Sequence, residues 1–224
     1  MAVAPVRVAG NVGPLRRSRK RAYVSRSVGQ SNVASRAWKA LVRLVFPWRV
    51  QRRPLPAADL PVWAKVGKKR LAHIRRVVAL LDEWAEEMGV TQRERTRWLR
   101  AGWLHDALRD APASRLAGTT HGAAAADRAA EDGETDRGVL DAVRFHSSGY
   151  AGWDDAGKML FLADFLEPGR RSSRKRRAKL AERVPKNCDR VLREVVGQQI
   201  RQRLRAGRSI NPLMLEFWNA IAER

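Results

Sequence analysis

From residue 65 onward the apolar positions recur every three or four residues, the period of helices that bury one face, and no stretch alternates as a strand would. The first helix is expected from about Lys65 to Met88, with Val66, His73, Val77, Leu80, Leu81 and Trp84 inward and Gly89 as its stop. Thr91-Gln92-Arg93-Glu94 reads as a capping box for a second helix, which runs through Trp98, Ala101 and Leu104 and ends on His105-Asp106. After a polar loop, Thr119-Thr120-His121-Gly122 opens an alanine-rich helix that stops near Gly133. Asp136 caps Gly138 to Phe145, and Ser147-Ser148-Gly149 breaks that helix just beyond His146. Asp154 caps Asp155 to Leu166, where Leu160, Asp164 and Glu167 share one side before Pro168-Gly169 ends the helix. Asn187 to Ala206 follows through Val191, Leu192, Val195, Val196, Ile200 and Leu204; Gly207 stops it, and Asn211-Pro212 starts a last helix through Leu215, Phe217 and Ile221. The expected fold class is an all-α bundle.

Charge adds a second part to this picture. The chain of 224 residues carries 45 Lys and Arg against 23 Asp and Glu, a formal charge of +22. Residues 1 to 58 hold thirteen of the cations and no acid, so more than half the excess sits in a short arm. Residues 1 to 32, with the run Arg16-Arg17-Ser18-Arg19-Lys20-Arg21, are expected to be largely disordered. From Val33 to Phe46, Val33, Ala37, Leu41, Leu44 and Val45 keep helical spacing. That helix could lie on an anionic membrane surface or on RNA, or dock on the domain, the last being favoured slightly. Pro47, Pro54, Pro56 and Pro61 then form a stiff linker, which gives an arm over residues 1 to 59 and one domain over 60 to 224.

A single cysteine, Cys188, cannot form an internal disulfide, so a reducing cytoplasm is the simplest location. A transit peptide and an upstream mis-assigned start are alternative readings of the acid-free leader. No run of about eighteen apolar residues predicts a transmembrane helix. Arg170 to Lys179, with seven basic residues and no acid, reads as a solvated loop or as a phosphate-binding rim.

The chemistry gathers in one window. All four histidines, His73, His105, His121 and His146, fall there, each at a helix end or on a core face, with Asp164 and Glu167 shortly after. A buried carboxylate is costly without a cation or donors beside it, so a His-Asp pair at the end of a core helix suggests a metal site. A lone pair of this kind is weak evidence, a lone histidine on an apolar face is more often a core residue, and Asp164 alone is as readily a salt-bridge partner; the clustering raises the metal reading.

Arg70-Leu71-Ala72-His73, Ala101-Gly102-Trp103-Leu104-His105-Asp106, His121-Gly122, Phe145-His146-Ser147-Ser148-Gly149, Ala163 to Arg170 and Ile210 to Asn219 resemble, in order and spacing, the motifs of HD-domain phosphohydrolases. They are most similar to the YqeK branch of bacterial symmetrical diadenosine tetraphosphatases, over roughly residues 60 to 222. The resemblance implies an HD-type helical bundle and a hydrolase that splits diadenosine tetraphosphate into two ADP. It implies His73, His105, Asp106 and Asp164 at one metal, and His121, His146 and the shared Asp106 at a second. The ions would be divalent transition metals, usually iron, with manganese, cobalt or zinc as alternatives.

His105, Asp106 and Asp164 are the catalytic candidates. Arg70, Arg109, Ser147, Gly149, Glu167 and Arg170 are the substrate-binding candidates, since a guanidinium fork suits phosphate oxygens. Arg109 and Ser147 stand where the family often has Lys and Thr, and the arm and the basic loop depart from its usual members. Two other functions stay open: an HD phosphohydrolase for another nucleotide or an RNA end, and a nucleic-acid- or ribosome-associated protein whose site is structural. Nucleic acid or an anionic surface is the expected partner of the arm, and a homodimer is an open expectation.

Overall fold

The computed structural model describes residues 60–116, 118–170 and 172–222; the expected arm and the helix at 33–46 lie outside them. The described residues are helical and contain no strand. In chain order the helices are α1 (Lys68–Glu87), α2 (Gln92–Leu104), α3 (His121–Glu131), α4 (Arg137–Phe145), α5 (Asp155–Leu166), α6 (Arg174–Ala181), α7 (Val184–Arg205) and α8 (Pro212–Ala222). A 3₁₀ turn at Ala113–Arg115 interrupts the loop between α2 and α3.

Side-chain caps start four of these helices where the sequence places them. Thr91 accepts from Glu94 N at 3.2 Å, Thr120 from Ala123 N at 3.1 Å, Asp136 from Val139 N at 3.1 Å and Asp154 from Ala156 N at 3.0 Å. Each such cap stabilises its helix by about 1 kcal/mol. The expected box at Thr91 forms by half, because the Glu94 carboxylate turns to Arg97 Nη1 at 2.7 Å.

The core is built around α5, in which Met159, Leu160, Phe161, Leu162, Ala163 and Leu166 are all buried. A helix apolar on every side has to be surrounded, and α1, α2, α4 and α7 pack on it. Gly102 lets α2 lie close on α1: a Cβ there would come within 2.9 Å of Leu81 Cδ1 and 3.0 Å of Val78 Cγ2. Phe217 brings α8 onto the same core, edge to face with Trp153 and Phe161 at ring separations of 5.1 and 5.8 Å.

The structure departs from the sequence reading in four places. The first helix starts at Lys68, because the backbone of Lys65 pairs with Ala107 and Asp110 instead of continuing the helix. The basic stretch read as a loop contains α6, anchored by buried Leu180 and by Arg177, which lies 4.1 Å from the Phe165 ring centre and donates to the Phe165 carbonyl. The next helix begins at Val184 and bends at Asn187 (φ −148°, ψ 50°). Leu204 and Leu215, expected inward, are 61% and 42% exposed, because α8 turns Met214, Phe217 and Ile221 to the core and α7 runs past its edge. No helix among the described residues is long and apolar enough to cross a membrane.

Candidate metal centre

Four helices deliver the four histidines to one place. His73 comes from the second turn of α1, and His105 and Asp106 follow the last turn of α2. His121 is the first residue of α3, and His146 caps the end of α4. All five side chains are buried. Three of the rings are oriented by an acceptor at Nδ1. His105 Nδ1 donates to the Gly102 carbonyl at 2.7 Å and His146 Nδ1 to the Val143 carbonyl at 2.8 Å. His73 Nδ1 donates to Glu167 Oε1 at 3.2 Å. With a proton on Nδ1, each of these rings turns Nε2 inward and, in its neutral form, offers the lone pair there.

The Nε2 atoms of all four rings converge in two groups that share one carboxylate. Asp106 Oδ2 lies 3.7 Å from His73 Nε2 and 3.6 Å from His105 Nε2. Its other oxygen, Oδ1, lies 3.1 Å from His121 Nε2 and 3.6 Å from His146 Nε2. Within the groups, Nε2 faces Nε2 at 3.4 Å (His73 and His105) and at 3.1 Å (His121 and His146). Ligand atoms of His73, His105 and Asp106, and likewise of Asp106, His121 and His146, lie within 4.8 Å of one another. Ring nitrogens this close to one another and to a carboxylate need a proton or a metal cation between them. Imidazole nitrogens with a carboxylate suit a divalent transition metal, so the residues fit the ions that the sequence implies.

The electrostatics record the same demand. Burial alone would lower the His73 imidazole, but hydrogen bonds to Asp164 and Glu167 outweigh it and raise its pKa from 6.5 to about 9. Burial would raise Asp106, yet His121 and His146 hold it far below the usual carboxylate range. His105 is pushed down to about 4 by burial and stays neutral. A metal ion held by His73 would take the place of the proton that the acids otherwise keep on its ring.

The other expected residues divide into three kinds. Asp164 Oδ1 reaches His73 Nε2 at 3.1 Å and also pairs with Arg170, so it stands beside the first group and outside the tight three-ligand set. Arg70 Nη1 bonds Asp106 Oδ2 at 2.7 Å, and Arg109 Nη1 lies 2.9 Å from His121 Nδ1. Arg70 and Arg170 line a cavity of about 230 Å³ with Lys69, His73, Arg76, Glu167 and Gly169. Ser147 is exposed on the turn after α4. Gly149 is buried at φ +83°, where a Cβ would meet Phe217 Cδ1 at 2.7 Å, so its conformation and packing alone require glycine.

Glu167 is 2% exposed, and protein donors occupy both its oxygens: His73 Nδ1, Arg76 Nε at 2.5 Å and Gly169 N at 2.6 Å. It orients the His73 ring. Glu167→Ala is expected to weaken metal binding about 10–100-fold, the usual cost of losing a carboxylate behind a ligating histidine. Chelator competition measures it, and unchanged affinity would show that the ring needs no such support.

Sequence reasoning missed Arg76 and Asp110. Arg76 lies three residues after His73 on the same face of α1, a spacing that could have flagged it. Asp110 accepts from Gly67 N at 2.8 Å and lies 3.8 Å from Arg70 Nε. Together with Lys65 N to Ala107 O at 2.7 Å and Asp110 N to Lys65 O at 3.3 Å, it ties the chain ahead of α1 to the turn that carries the His-Asp pair.

An all-helical domain with a buried His-Asp pair at a helix end, surrounded by three further histidines, defines a helical metal-binding class. The HD domain family profile matches residues 70–201, and the chain belongs to that family. Among solved structures it is similar to one from Clostridium acetobutylicum described as a predicted HD superfamily hydrolase involved in NAD metabolism. The TM-score is 0.63 with 21% identity, covering 71% of this chain and 92% of that one. That likeness bears on the fold. No curated protein sequence matches significantly.

Proposed function

We propose that this HD-domain protein is a dinuclear-metal phosphohydrolase that cleaves diadenosine tetraphosphate, or a close dinucleoside polyphosphate, symmetrically into two ADP. The observation that carries the reading is Asp106, whose two oxygens face two separate histidine pairs. His73, His105 and Asp106, joined by Asp164, would hold one ion, and Asp106, His121 and His146 the other. Iron is the first expectation, with manganese, cobalt or zinc as alternatives. Such ions, when bound, bring the pKa of a water from about 15.7 toward about 7 and polarise a phosphoryl oxygen.

The protein's own part is position and charge. Arg70 and Arg170 sit at the cavity wall beside the ligands, each held by one of their carboxylates, and can present guanidinium forks to a polyphosphate. Lys69 and Arg76 extend that cationic wall. Asp164 keeps both Nε and Nη2 of Arg170 in place. No Ser or Cys nucleophile motif appears in the sequence, so one water supplies the new P–O bond. The bond from the attacked phosphorus to the central bridging oxygen breaks, and each half leaves as ADP. The similar solved protein's description, in NAD metabolism, is in keeping with a nucleotide substrate.

Reaction in ¹⁸O-labelled water tests this. ADP is expected as the sole nucleotide product, with one label for every two ADP formed. AMP plus ATP would overturn symmetric cleavage. Inactivity on dinucleoside polyphosphates with turnover of another nucleotide or an RNA end would move the reading to that substrate. We place the catalytic unit at residues 60 to 224, in a cytoplasmic protein whose arm binds nucleic acid or an anionic surface.

A further inference from the structure

The cationic helix α6 is not used by the chemistry above. Its eight residues, Arg174-Lys175-Arg176-Arg177-Ala178-Lys179-Leu180-Ala181, hold five cations and no acid. Two side chains fasten it: Leu180 is buried, and Arg177 turns inward onto Phe165. Arg174, Lys175, Arg176 and Lys179 are left exposed. None of the four makes an ion pair among the described residues, whereas cations nearby and elsewhere do. Arg183 meets Glu194 at 2.7 Å, Arg97 meets Asp136 at 2.7 Å and Arg137 meets Asp141 at 2.9 Å. Lys175 and Lys179, at i and i+4, and Arg176 and Lys179, at i and i+3, crowd like charges on one helix face, which weakens a helix until a polyanion relieves it.

We infer that the outer face of α6 binds the phosphate backbone of double-stranded nucleic acid without reading sequence. The helix is about 12 Å long at 1.5 Å per residue, and phosphates recur about every 3.4 Å along one duplex strand, so four cations can meet three or four phosphates. Phe165, the ring against which α6 packs, lies under Arg177 and is not open as a platform on which single-stranded bases would stack. A membrane surface fits less well, because the only large apolar side chain of α6 is buried in the core and cannot enter lipid. The inference concerns binding alone and holds whatever nucleotide the metal centre takes.

The test compares full-length wild type with a variant carrying Arg174→Gln, Lys175→Gln, Arg176→Gln and Lys179→Gln. The probes are a 20-base-pair duplex of arbitrary sequence and phosphatidylserine vesicles. At about 0.9 per neutralised phosphate, the slope of log affinity against log salt for the duplex should become shallower by about 2.7 to 3.6. The arm is identical in both proteins and cancels in the difference. Lys175→Gln with Lys179→Gln should give about half the change, and this milder pair decides the matter if the fourfold variant unfolds. Nucleotide hydrolysis should be unchanged. An unaltered duplex slope overturns the inference, as does a loss confined to vesicle binding.

Discussion

Asp106→Ala is expected to empty both proposed metal positions and to lower the proposed phosphohydrolase activity by more than the roughly 10²–10³-fold that removing a single charge-stabilising donor costs. One oxygen faces His73 and His105 and the other faces His121 and His146, so the substitution takes a ligand from both groups together. It also strands Arg70, whose Nη1 bonds Oδ2 at 2.7 Å, and leaves the His121 and His146 Nε2 atoms 3.1 Å apart without the carboxylate they share, with Asp164 remaining only beside His73. Elemental analysis of the purified variant beside wild type, with turnover measured on the same samples, gives the answer. Full occupancy without Asp106 would sink the assignment of a shared ligand. His105→Ala, which touches the first group directly, should also lose hydrolysis.

Gly122→Ala should act on one group and spare the other. A Cβ at this position would lie 2.7 Å from the Val143 carbonyl oxygen and 3.0 Å from both Cε1 and Nδ1 of His146. That carbonyl is the acceptor that fixes the His146 ring, so the added methyl intrudes on the hydrogen bond that aims Nε2. A backbone oxygen cannot swing aside as a long side chain would. Either α3 moves off α4 or the ring turns out, at an overpacking cost of about 1–3 kcal/mol. The expected result is one retained ion in place of two, with a lowered Tm. Two retained ions and an unchanged melting curve would show that the helix pair tolerates a Cβ there.

Much of the fold was legible because its punctuation is local. Thr91, Thr120, Asp136 and Asp154 act within three residues of the amides they cap, so sequence alone sufficed to place those helix starts. The convergence of His73, His105, Asp106, His121 and His146 was legible from motif order, since each stands at a helix end or on a core face. Contacts that depend on distant chain were not legible. Nothing near Lys65 signals that its backbone pairs with Ala107 and Asp110, and α6 forms in a basic stretch because Arg177 finds Phe165 and Leu180 finds the core. Leu204 and Leu215 keep helical spacing yet lie outside the core, because periodicity gives a face and leaves open where the neighbouring layer ends. Gly149 looked like part of a binding motif, and its packing against Phe217 appears only in three dimensions.

The tie between residues 65 to 67 and residues 107 to 110 bears on how the domain breathes. A turn carrying metal ligands at a helix end would ordinarily fray on its own, at little free-energy cost. Here, releasing Ala107 and Asp110 also means detaching Lys65 and Gly67, the latter capping α1 three residues ahead of Arg70 and six ahead of His73. The amides of Lys65, Gly67 and Asp110 are therefore expected to exchange with solvent at the slow pace of the α1 and α2 pair opening together, as hydrogen-exchange measurement would show.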